Sequence, residues 1–218
     1  MNLLITNKYF KKMISTSNID FYIVEQNDDF TELKKQIDDL KPEKIISLDF
    51  AIQTVNQIQN NSIVVAKETI NINAKPINWS IPREDRWIET SEDLNKSVCD
   101  ILEKLTFEHY VGSGIELENA HTIHKRLEAK KWINDKLDGT FIDSYSSRLN
   151  EFIENNSYNI SIVRIINSSF PIYNSENSTF WNNLKFFFRE LYFHKITTNK
   201  IKSEIFEKKL LNEFSNIN

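Results

Sequence analysis

The sequence contains very little glycine, with only Gly112, Gly114 and Gly139 among its 218 residues. Loops that hold a phosphate through backbone N–H groups generally need several glycines, because the backbone must approach the phosphate closely. Neither a Walker loop nor a dinucleotide-binding fingerprint can be assembled from three. The scarcity of glycine therefore argues against the nucleotide-binding classes that depend on those loops.

Cysteine is scarcer still, since Cys99 is the only one. A disulfide within the chain and a metal site built on several thiolates are therefore excluded. Cys99 lies in an apolar run between Val98 and Ile101, which is typical of a buried structural thiol and not of a nucleophile. We expect neither a cofactor nor a metal site.

Long hydrophobic runs are also missing, and none approaches the roughly 18 apolar residues of a transmembrane helix. The first six residues lack the length and the basic flank of a signal peptide. We therefore expect a cytoplasmic protein without membrane contact. The formal net charge is −4, and acidic and basic residues are interspersed along the chain, so no nucleic-acid partner is predicted.

The hydrophobic content of 40% over 218 residues is enough for one large domain with a substantial core. No internal repeat, linker or low-complexity segment interrupts the chain. We predict one domain over residues 1–218, with an aromatic-rich helical segment at about 177–216.

The clearest pattern lies at residues 160–166, which are almost continuously β-branched. This composition predicts a central strand that is buried on both faces. The strand stops abruptly at three small polar residues, Asn167, Ser168 and Ser169. Because open α/β sheets bind their ligands at the carboxyl ends of the strands, we expect the ligand site there.

Strands and helices are predicted to alternate through most of the chain, which indicates an α/β fold. Strands are expected at residues 3–6, 20–25, 44–49, 62–66, 107–111 and 139–143, and helices at 30–40, 92–105, 120–138, 145–155 and 198–214. In the helix at 120–138 we expect Ile123, Leu127, Trp132 and Ile133 to face inward. Residues 71–91 lack periodicity and are interpreted as a long loop, either a lid or a surface loop anchored by Trp79 and Trp87.

Aromatic residues crowd the C-terminal fifth of the chain. They are Phe180, Trp181, Phe186, Phe187, Phe188, Tyr192 and Phe193. Their loose helical spacing predicts a helix packed across the sheet, and its wide apolar band leaves open a second face for a subunit partner.

Several segments, in their order and spacing, resemble the nucleoside phosphorylase superfamily, on its methylthioadenosine/adenosylhomocysteine nucleosidase side. Residues 41–47 and 62–66 are similar to a helix exit and two successive strands of that family. Residues 110–114 look like its Ser-Gly-Asp turn, residues 141–145 occupy the place of its Val-Glu-Met-Glu motif, and residues 163–168 look like its Val-Arg-x-Ile-Ser-Asp motif. The resemblance covers most of residues 21–169. It implies a three-layer α/β/α fold with a mixed central sheet.

Enzymes of this family break purine N-glycosidic bonds, so the resemblance implies a purine nucleoside or similar small molecule as the ligand. The motif positions assign Ser168 to the family's general acid and Tyr145 to its ribose-binding carboxylate, while Asp143 keeps a carboxylate at the first Glu of its motif. Glycine-rich anion loops of the family align with residues 26–28 and 49–51, where carboxylates would repel phosphate.

Candidate site residues follow from these alignments. The catalytic candidates are Ser168 and Asp143, and the nucleoside-binding candidates are Ser113, Thr122, Ile123, Ser144, Tyr145 and Asn167. Substitute acids are available at Glu116, Glu118, His121 and His124. The alternative interpretation of Asp143 is a helix cap. The alternative interpretation of the two histidines is that they are exposed residues at the start of a helix.

Four functions remain open. The first is a purine-nucleoside-binding protein in which the standard cleavage is weakened or lost, which would make it a pseudoenzyme. The second is an active purine nucleosidase, a hydrolase with substitute residues. The third is a non-catalytic interaction or scaffold subunit, forming a homodimer or joining a partner subunit through the aromatic C-terminal helices. An unrelated small-molecule enzyme on a similar sheet is a further alternative.

Overall fold

The computed structural model describes residues 1–14, 19–25, 28–54, 58–72, 77, 79–117, 123–168, 187–189, 191–193 and 198–217. The strands are β1 (Asn2–Thr6), β2 (Asp20–Ile23), β3 (Lys44–Gln53), β4 (Ile63–Asn71), β5 (Ile88–Glu89), β6 (His109–Glu116), β7 (Phe141–Asp143) and β8 (Ile160–Ile166). The α-helices are α1 (Lys11–Ile14), α2 (Thr31–Leu40), α3 (Glu92–Lys104), α4 (Ile123–Leu137), α5 (Ser146–Asn155), α6 (Asn199–Glu207) and α7 (Leu210–Ser215). A 3₁₀ turn, Lys8–Phe10, precedes α1.

The eight strands form one mixed sheet, in the order β2-β1-β3-β7-β6-β4-β5, and β8 pairs with both β3 and β4. β3 runs parallel to β1 and β8 and antiparallel to β7, whereas β8 runs antiparallel to β4. Since β4 pairs with β6 and β6 with β7, strands β3, β8, β4, β6 and β7 close into a ring. The predicted mixed sheet is confirmed.

Helices cover both faces of the sheet. Apolar residues of α2 and α5 pack in one buried cluster with residues of β1, β3 and β8. Residues of α3, α4, α6 and α7 pack in a second cluster on the opposite face. The predicted three-layer α/β/α architecture is therefore confirmed, and we name the two sides of the sheet the α2/α5 face and the α3/α4 face.

Strand β8 is buried along its whole length, as its composition predicts. Ile162 and Ile166 belong to the α2/α5 face, and Val163 and Ile165 to the α3/α4 face. Because side chains alternate along a strand, Arg164 points to the α2/α5 face, where it is fully buried.

Strand β6 continues beyond its predicted end, through Gly112 and Gly114 to Glu116. A Cβ on Gly114 would lie 2.5 Å from Cζ of Phe141 on β7. The glycines are therefore not part of a turn. They leave room in the strand for side chains from the neighbouring segment, and this close approach brings β7 against β6.

The residues of helix α4 that face inward differ from those expected. Leu127 is 62% exposed and Trp132 is 41% exposed, whereas Ile133 and Leu137 are buried. Ile133 and Leu137 are four residues apart, the spacing that places side chains on one face of a helix, and that face meets the sheet.

The segment 71–91 holds the short strand β5, which pairs with β4. Trp87 is 4% exposed and anchors this segment, while Trp79 is 55% exposed. Only one of the two predicted tryptophan anchors is therefore buried.

The single helix expected at residues 198–214 is divided into two helices, α6 and α7. Lys209 adopts a left-handed backbone conformation with φ of 55° between them. Four apolar residues of these helices, Ile201, Ile205, Leu210 and Phe214, are buried. Among the described helices, none is long and apolar enough to cross a membrane.

Candidate functional site

A buried ion pair lies at the centre of the α2/α5 face. The Nε atom of Arg164 donates to Oδ2 of Asp143 over 2.5 Å, and both side chains are almost completely buried. Nη1 of Arg164 donates to the carbonyl oxygen and the hydroxyl of Ser47 on β3, at 3.1 and 3.0 Å. A buried charge pair is tolerated only when its remaining polar atoms are also satisfied, and these contacts satisfy most of the guanidinium.

Two buried polar atoms beside Asp143 have no hydrogen-bond partner among the described residues. They are Nη2 of Arg164 and Oγ of Ser146. Ser146 also donates its backbone N–H to Oδ1 of Asp143, at 3.1 Å. Buried orphan groups of this kind normally bind an ordered water or a ligand, so this region offers polar atoms to a small molecule.

Asp143 makes two kinds of contact. It is the last residue of β7, and its carboxylate accepts from the first turn of α5, as a helix-capping residue does. The same carboxylate pairs with Arg164. The capping contact is therefore present, and the catalytic interpretation of Asp143 stays a prediction.

A second carboxylate, Asp49 on β3, lies on the same face. Its Oδ2 accepts a hydrogen bond of 2.6 Å from the hydroxyl of Tyr145, and its Oδ1 accepts from the backbone N–H of Phe50 and from the side-chain amide of Asn7. Burial raises the pKa of Asp49 to about 6, against the opposing influence of Arg164. Burial likewise raises the pKa of Tyr145 well above its ordinary value, and the nearby Asp49 carboxylate adds to this.

A third buried carboxylate, Glu116, ends β6. Its Oε2 accepts from the backbone N–H of Arg148 at 2.8 Å, and its Oε1 accepts from Nε of Arg148 at 2.5 Å and from the Asn71 amide at 3.1 Å. Burial raises the pKa of Glu116 to about 7, although Arg148 acts in the opposite direction. The charge of Asp143 contributes to the raised pKa of both Glu116 and Asp49. The three carboxylates therefore interact electrostatically.

Ser113 belongs to a different cluster. Successive side chains of a strand point to opposite faces of the sheet. Ser113 therefore points to the same face as Ile115, which packs on the α3/α4 face. Its hydroxyl donates to Oε1 of Glu68 at 2.5 Å and accepts from Arg83 at 3.2 Å. Arg83 also pairs with Glu68 at 2.6 Å, so this cluster ties the 71–91 segment to the sheet.

Ser168 lies just after β8 and is exposed to solvent. Its hydroxyl accepts from the Asn60 side chain at 3.3 Å, and its backbone N–H donates to the same side chain at 2.9 Å. Asn167, the preceding residue, is buried and donates its backbone N–H to the carbonyl oxygen of Ala51. The hydrogen bonds of Ser168 and those of Tyr145 therefore go to different residues.

The remaining predicted residues are placed as follows. The carbonyl oxygen of Ser144 accepts from Nη2 of Arg148 at 2.9 Å. Ile123 is the first residue of α4. Glu118, His121, Thr122 and the side chains of Ile123 and His124 lie outside the described residues.

Aromatic side chains fill the α3/α4 face next to the carboxyl ends of β1 and β3. Phe50 stacks on Phe10 with a centroid distance of 5.1 Å and meets Phe193 edge-on at 5.0 Å. Tyr9 contacts both Phe50 and Phe193. These four residues, which we name the aromatic cluster, occupy an edge of the sheet at which α/β proteins commonly bind ligands.

Sequence reasoning missed the hydrogen bond between Asp49 and Tyr145 and missed the aromatic cluster. The available signal was an aspartate inside an apolar strand, because residues 45–52 of β3 are buried and only Ser47 and Asp49 are polar. A buried carboxylate requires polar partners. Within the described part of the chain, no group of three His, Cys, Asp or Glu residues is suited to hold a metal ion.

Comparison with known proteins gives the fold. No protein-family model and no curated protein sequence matches the chain. Among solved structures, the methylthioadenosine/adenosylhomocysteine nucleosidase (MTAN) of Helicobacter pylori superposes with a TM-score of 0.69 at 12% identity, covering 99% of both chains. A futalosine hydrolase mutant from the same species has a TM-score of 0.66 at 14% identity, again with 99% of both chains covered.

A third structure, the MTAN of Campylobacter jejuni, has a TM-score of 0.67 at 10% identity, covering 97% of this chain and 98% of that one. At identities this low, the superpositions establish a shared fold but not a shared activity. The superpositions extend over nearly the whole length of each chain, in agreement with the motif order of the sequence. The protein therefore has the nucleoside phosphorylase-like fold, in the form found in the methylthioadenosine/adenosylhomocysteine nucleosidases.

Proposed function

We propose that this protein binds a purine nucleoside or a related small molecule, and that N-glycosidic cleavage by the route of the resembled family is weakened or lost. The observation that supports this most is the environment of Ser168, which stands at the motif position of the general acid. It is an exposed serine whose hydroxyl contacts Asn60. A serine hydroxyl does not protonate a leaving purine at neutral pH, because its pKa lies far above that of a carboxyl group.

Cleavage of the glycosidic bond also needs negative charge near the sugar, where oxocarbenium character develops. Tyr145 stands at the motif position of that carboxylate and carries no charge, since its pKa is raised well above its ordinary value. Loss of a positioned general acid alone costs roughly 10²–10⁴-fold in rate. The combined replacement of both groups supports binding as the function that remains.

The proposed nucleoside contacts are those at the ends of β7 and β8. Ser144, Tyr145 and Asn167 follow these strands, and Thr122 and Ile123 complete the set. Ser113, which the motifs also assign, points to the α3/α4 face and bonds there to Glu68 and Arg83. Nη2 of Arg164 and Oγ of Ser146 add a donor and a hydroxyl without partners among the described residues. These atoms would hold oxygen atoms of a ligand, while Asp143 keeps Arg164 in place.

One observation favours an active nucleosidase as the second candidate. Glu116 is fully buried and has a pKa raised to about 7 by burial. A carboxyl group with a pKa near the working pH is well matched to donating a proton. In this alternative Glu116 replaces the acid that Ser168 does not provide.

The test is to incubate the protein with methylthioadenosine, adenosylhomocysteine, adenosine, inosine and futalosine, with and without phosphate, and to measure free base by chromatography. The proposal expects a thermal shift with at least one nucleoside and base release that is slow or absent. Rapid release that disappears in Glu116→Gln supports the second candidate. Neither a shift nor release from any compound contradicts both.

A Ser168→Asp variant sharpens this test, because it restores a carboxyl group at the motif position. If the remaining site binds the nucleoside in the orientation of the family, release should increase in Ser168→Asp and not in the matched Ser168→Asn variant. Equal rates in the two variants would contradict the assigned position of the acid.

The oligomeric state is a further part of the proposal. Phe187, Phe188 and Tyr192 are exposed large aromatic residues, and they support a homodimer or a partner subunit that covers the C-terminal helical segment. Light scattering coupled to size-exclusion chromatography measures this directly, and a Phe187→Ser/Phe188→Ser variant should shift a dimer toward monomer. A cytoplasmic location and the absence of a nucleic-acid partner stay predictions.

A further inference from the structure

The buried polar network contains a carboxylate that can reverse the direction of a hydrogen bond. The distance between Oδ2 of Asp49 and Oη of Tyr145 is 2.6 Å. Oδ1 of Asp49 already accepts from the backbone N–H of Phe50 at 2.6 Å and from Asn7. Oδ2 is therefore the oxygen available to take up a proton, and Tyr145 is its partner in either state.

We propose that Asp49 and Tyr145 form a hydrogen-bond switch that decides whether the Tyr145 hydroxyl accepts from a bound ligand or donates to it. This inference rests on the proposed nucleoside-binding function and specifies the regulation of that site. When Asp49 is ionised, Tyr145 donates its proton to Oδ2, so its oxygen offers only lone pairs to a ligand. When Oδ2 has taken a proton from solvent, Asp49 donates to Oη, and the Tyr145 proton turns toward the ligand.

Two charged groups near the pair, Arg164 and Asp143, change the pKa of Asp49 in opposite directions. On β8, Arg164 lies 5.0 Å above the Tyr145 ring, and it favours the ionised form of Asp49. On β7, Asp143 disfavours that form. From the turn after β1 the neutral side chain of Asn7 donates to Asp49. Arg164 is already committed to Asp143 through the 2.5 Å contact, so one buried guanidinium faces two buried carboxylates.

At Asp49, burial outweighs the opposing attraction of Arg164. Burial raises the pKa of Asp49 to about 6, so the switch operates between acidic and neutral pH. At neutral pH Tyr145 selects a ligand group that donates a hydrogen bond, and at acidic pH it selects one that accepts. A sugar hydroxyl can do both, whereas a fluorine substituent at the same position can only accept.

The first experiment uses the ligand-free protein and follows the carboxyl ¹³C signals of labelled aspartate by NMR between pH 3.5 and 8. A signal that is missing from Asp49→Asn should titrate near pH 6. In Tyr145→Phe its midpoint should move upward, because the hydrogen bond from Tyr145 stabilises the ionised carboxylate. Tyr22→Phe is the matched control, since Tyr22 donates to Asp28 in another part of the molecule, and it should leave the Asp49 midpoint unchanged.

The second experiment measures binding of adenosine and of its 2′-deoxy-2′-fluoro and 3′-deoxy-3′-fluoro analogues by calorimetry from pH 5 to 8. Fluorine accepts and does not donate, so the analogue that is fluorinated at the contacted position should bind about fivefold more tightly as Asp49 becomes protonated, the effect of one net hydrogen bond. Adenosine, whose hydroxyl both donates and accepts, and the Asp49→Asn variant should show no such change.

The two experiments separate the inference from the function on which it rests. Titration of Asp49 near pH 4, or an Asp49 midpoint that Tyr145→Phe does not move, overturns the switch even if nucleosides bind. Binding of both fluorinated analogues that is independent of pH while Asp49 titrates near 6 also overturns it. Absence of binding by any nucleoside contradicts the proposed function and, with it, the ligand-directed role of the pair.

Discussion

Arg164 and Asp143 come from β8 and β7, which both pair with β3 in the closed strand ring, and they meet in the protein interior, with Nε and Oδ2 2.5 Å apart and both side chains buried. The pair holds β8 to the end of β7 and to the start of α5, because Asp143 also accepts from the backbone of Ser146. Arg164 also links the pair to Tyr145, since its guanidinium lies 5.0 Å from the centre of the Tyr145 ring.

Replacing Arg164 with methionine should destabilise the protein by roughly 3–5 kcal/mol, because Asp143 and Asp49 would remain buried without a facing cation. Urea unfolding followed by circular dichroism measures the change. The control is Lys35→Met, which removes an exposed ion pair with Glu32 and should cost less than about 1 kcal/mol. Equal losses in the two variants would show that the buried pair contributes no more to the free energy of unfolding than an exposed pair does.

Stability should decrease between acidic and neutral pH, and Glu116 should account for part of the decrease. Burial raises its pKa from 4.5 to about 7 in the folded protein, so the folded state binds this proton more tightly than the unfolded state. The contribution is fully present below pH 4.5 and is lost as the pH rises through 7, amounting to roughly 3 kcal/mol.

Urea unfolding of the wild type and of Glu116→Gln at intervals from pH 4 to 8 tests this. The variant should lose that part of the slope, while a smaller slope from Asp49, whose pKa rises from 3.8 to about 6, remains. Parallel curves for the two proteins would contradict the assignment.

Substitution of Gly114 by alanine should disturb the contact between β6 and β7. The added Cβ would lie 2.5 Å from Cζ and 2.9 Å from Cε2 of Phe141. Overpacking of this kind costs about 1–3 kcal/mol. In a Phe141→Leu background the same Gly114→Ala change should cost less, because the ring atoms that it meets are gone. Equal costs in the two backgrounds, measured as a double-mutant cycle, would exclude this contact as the cause.

Asn2 should stabilise the C-terminal helix α7. Its Nδ2 donates to the carbonyl oxygens of Phe214 and Ile217, at 3.0 and 3.1 Å. Asn2→Ala leaves these acceptors without the side-chain donor and should cost about 1–3 kcal/mol. Hydrogen exchange of α7 should become faster in this variant, whereas Ser215→Ala, which removes an exposed hydroxyl bonded within α7, should change it little. Unchanged exchange in Asn2→Ala would contradict the capping role.

Much of the architecture could be predicted from local patterns. The β-branched residues at 160–166 predict β8 because a strand buried on both faces has few other solutions, and the order of weak motifs predicts the fold. Helix faces were harder to assign. In α4 the apolar residues do not form one stripe, and only the position of the helix on the sheet decides that Ile133 is buried and Leu127 is not.

The candidate site could likewise be predicted only in part. From the sequence alone, a buried strand ends in small polar residues, and the resemblance to the family predicts that Ser168 and Tyr145 stand at the motif positions of its acid and its ribose carboxylate. Only the tertiary structure brings Tyr145 to Asp49, 96 residues away in sequence, and Glu116 to Arg148. The physical reason is that a buried carboxylate takes whichever donors the folded chain brings to it. That choice depends on how the strands close into a ring, which no local pattern encodes.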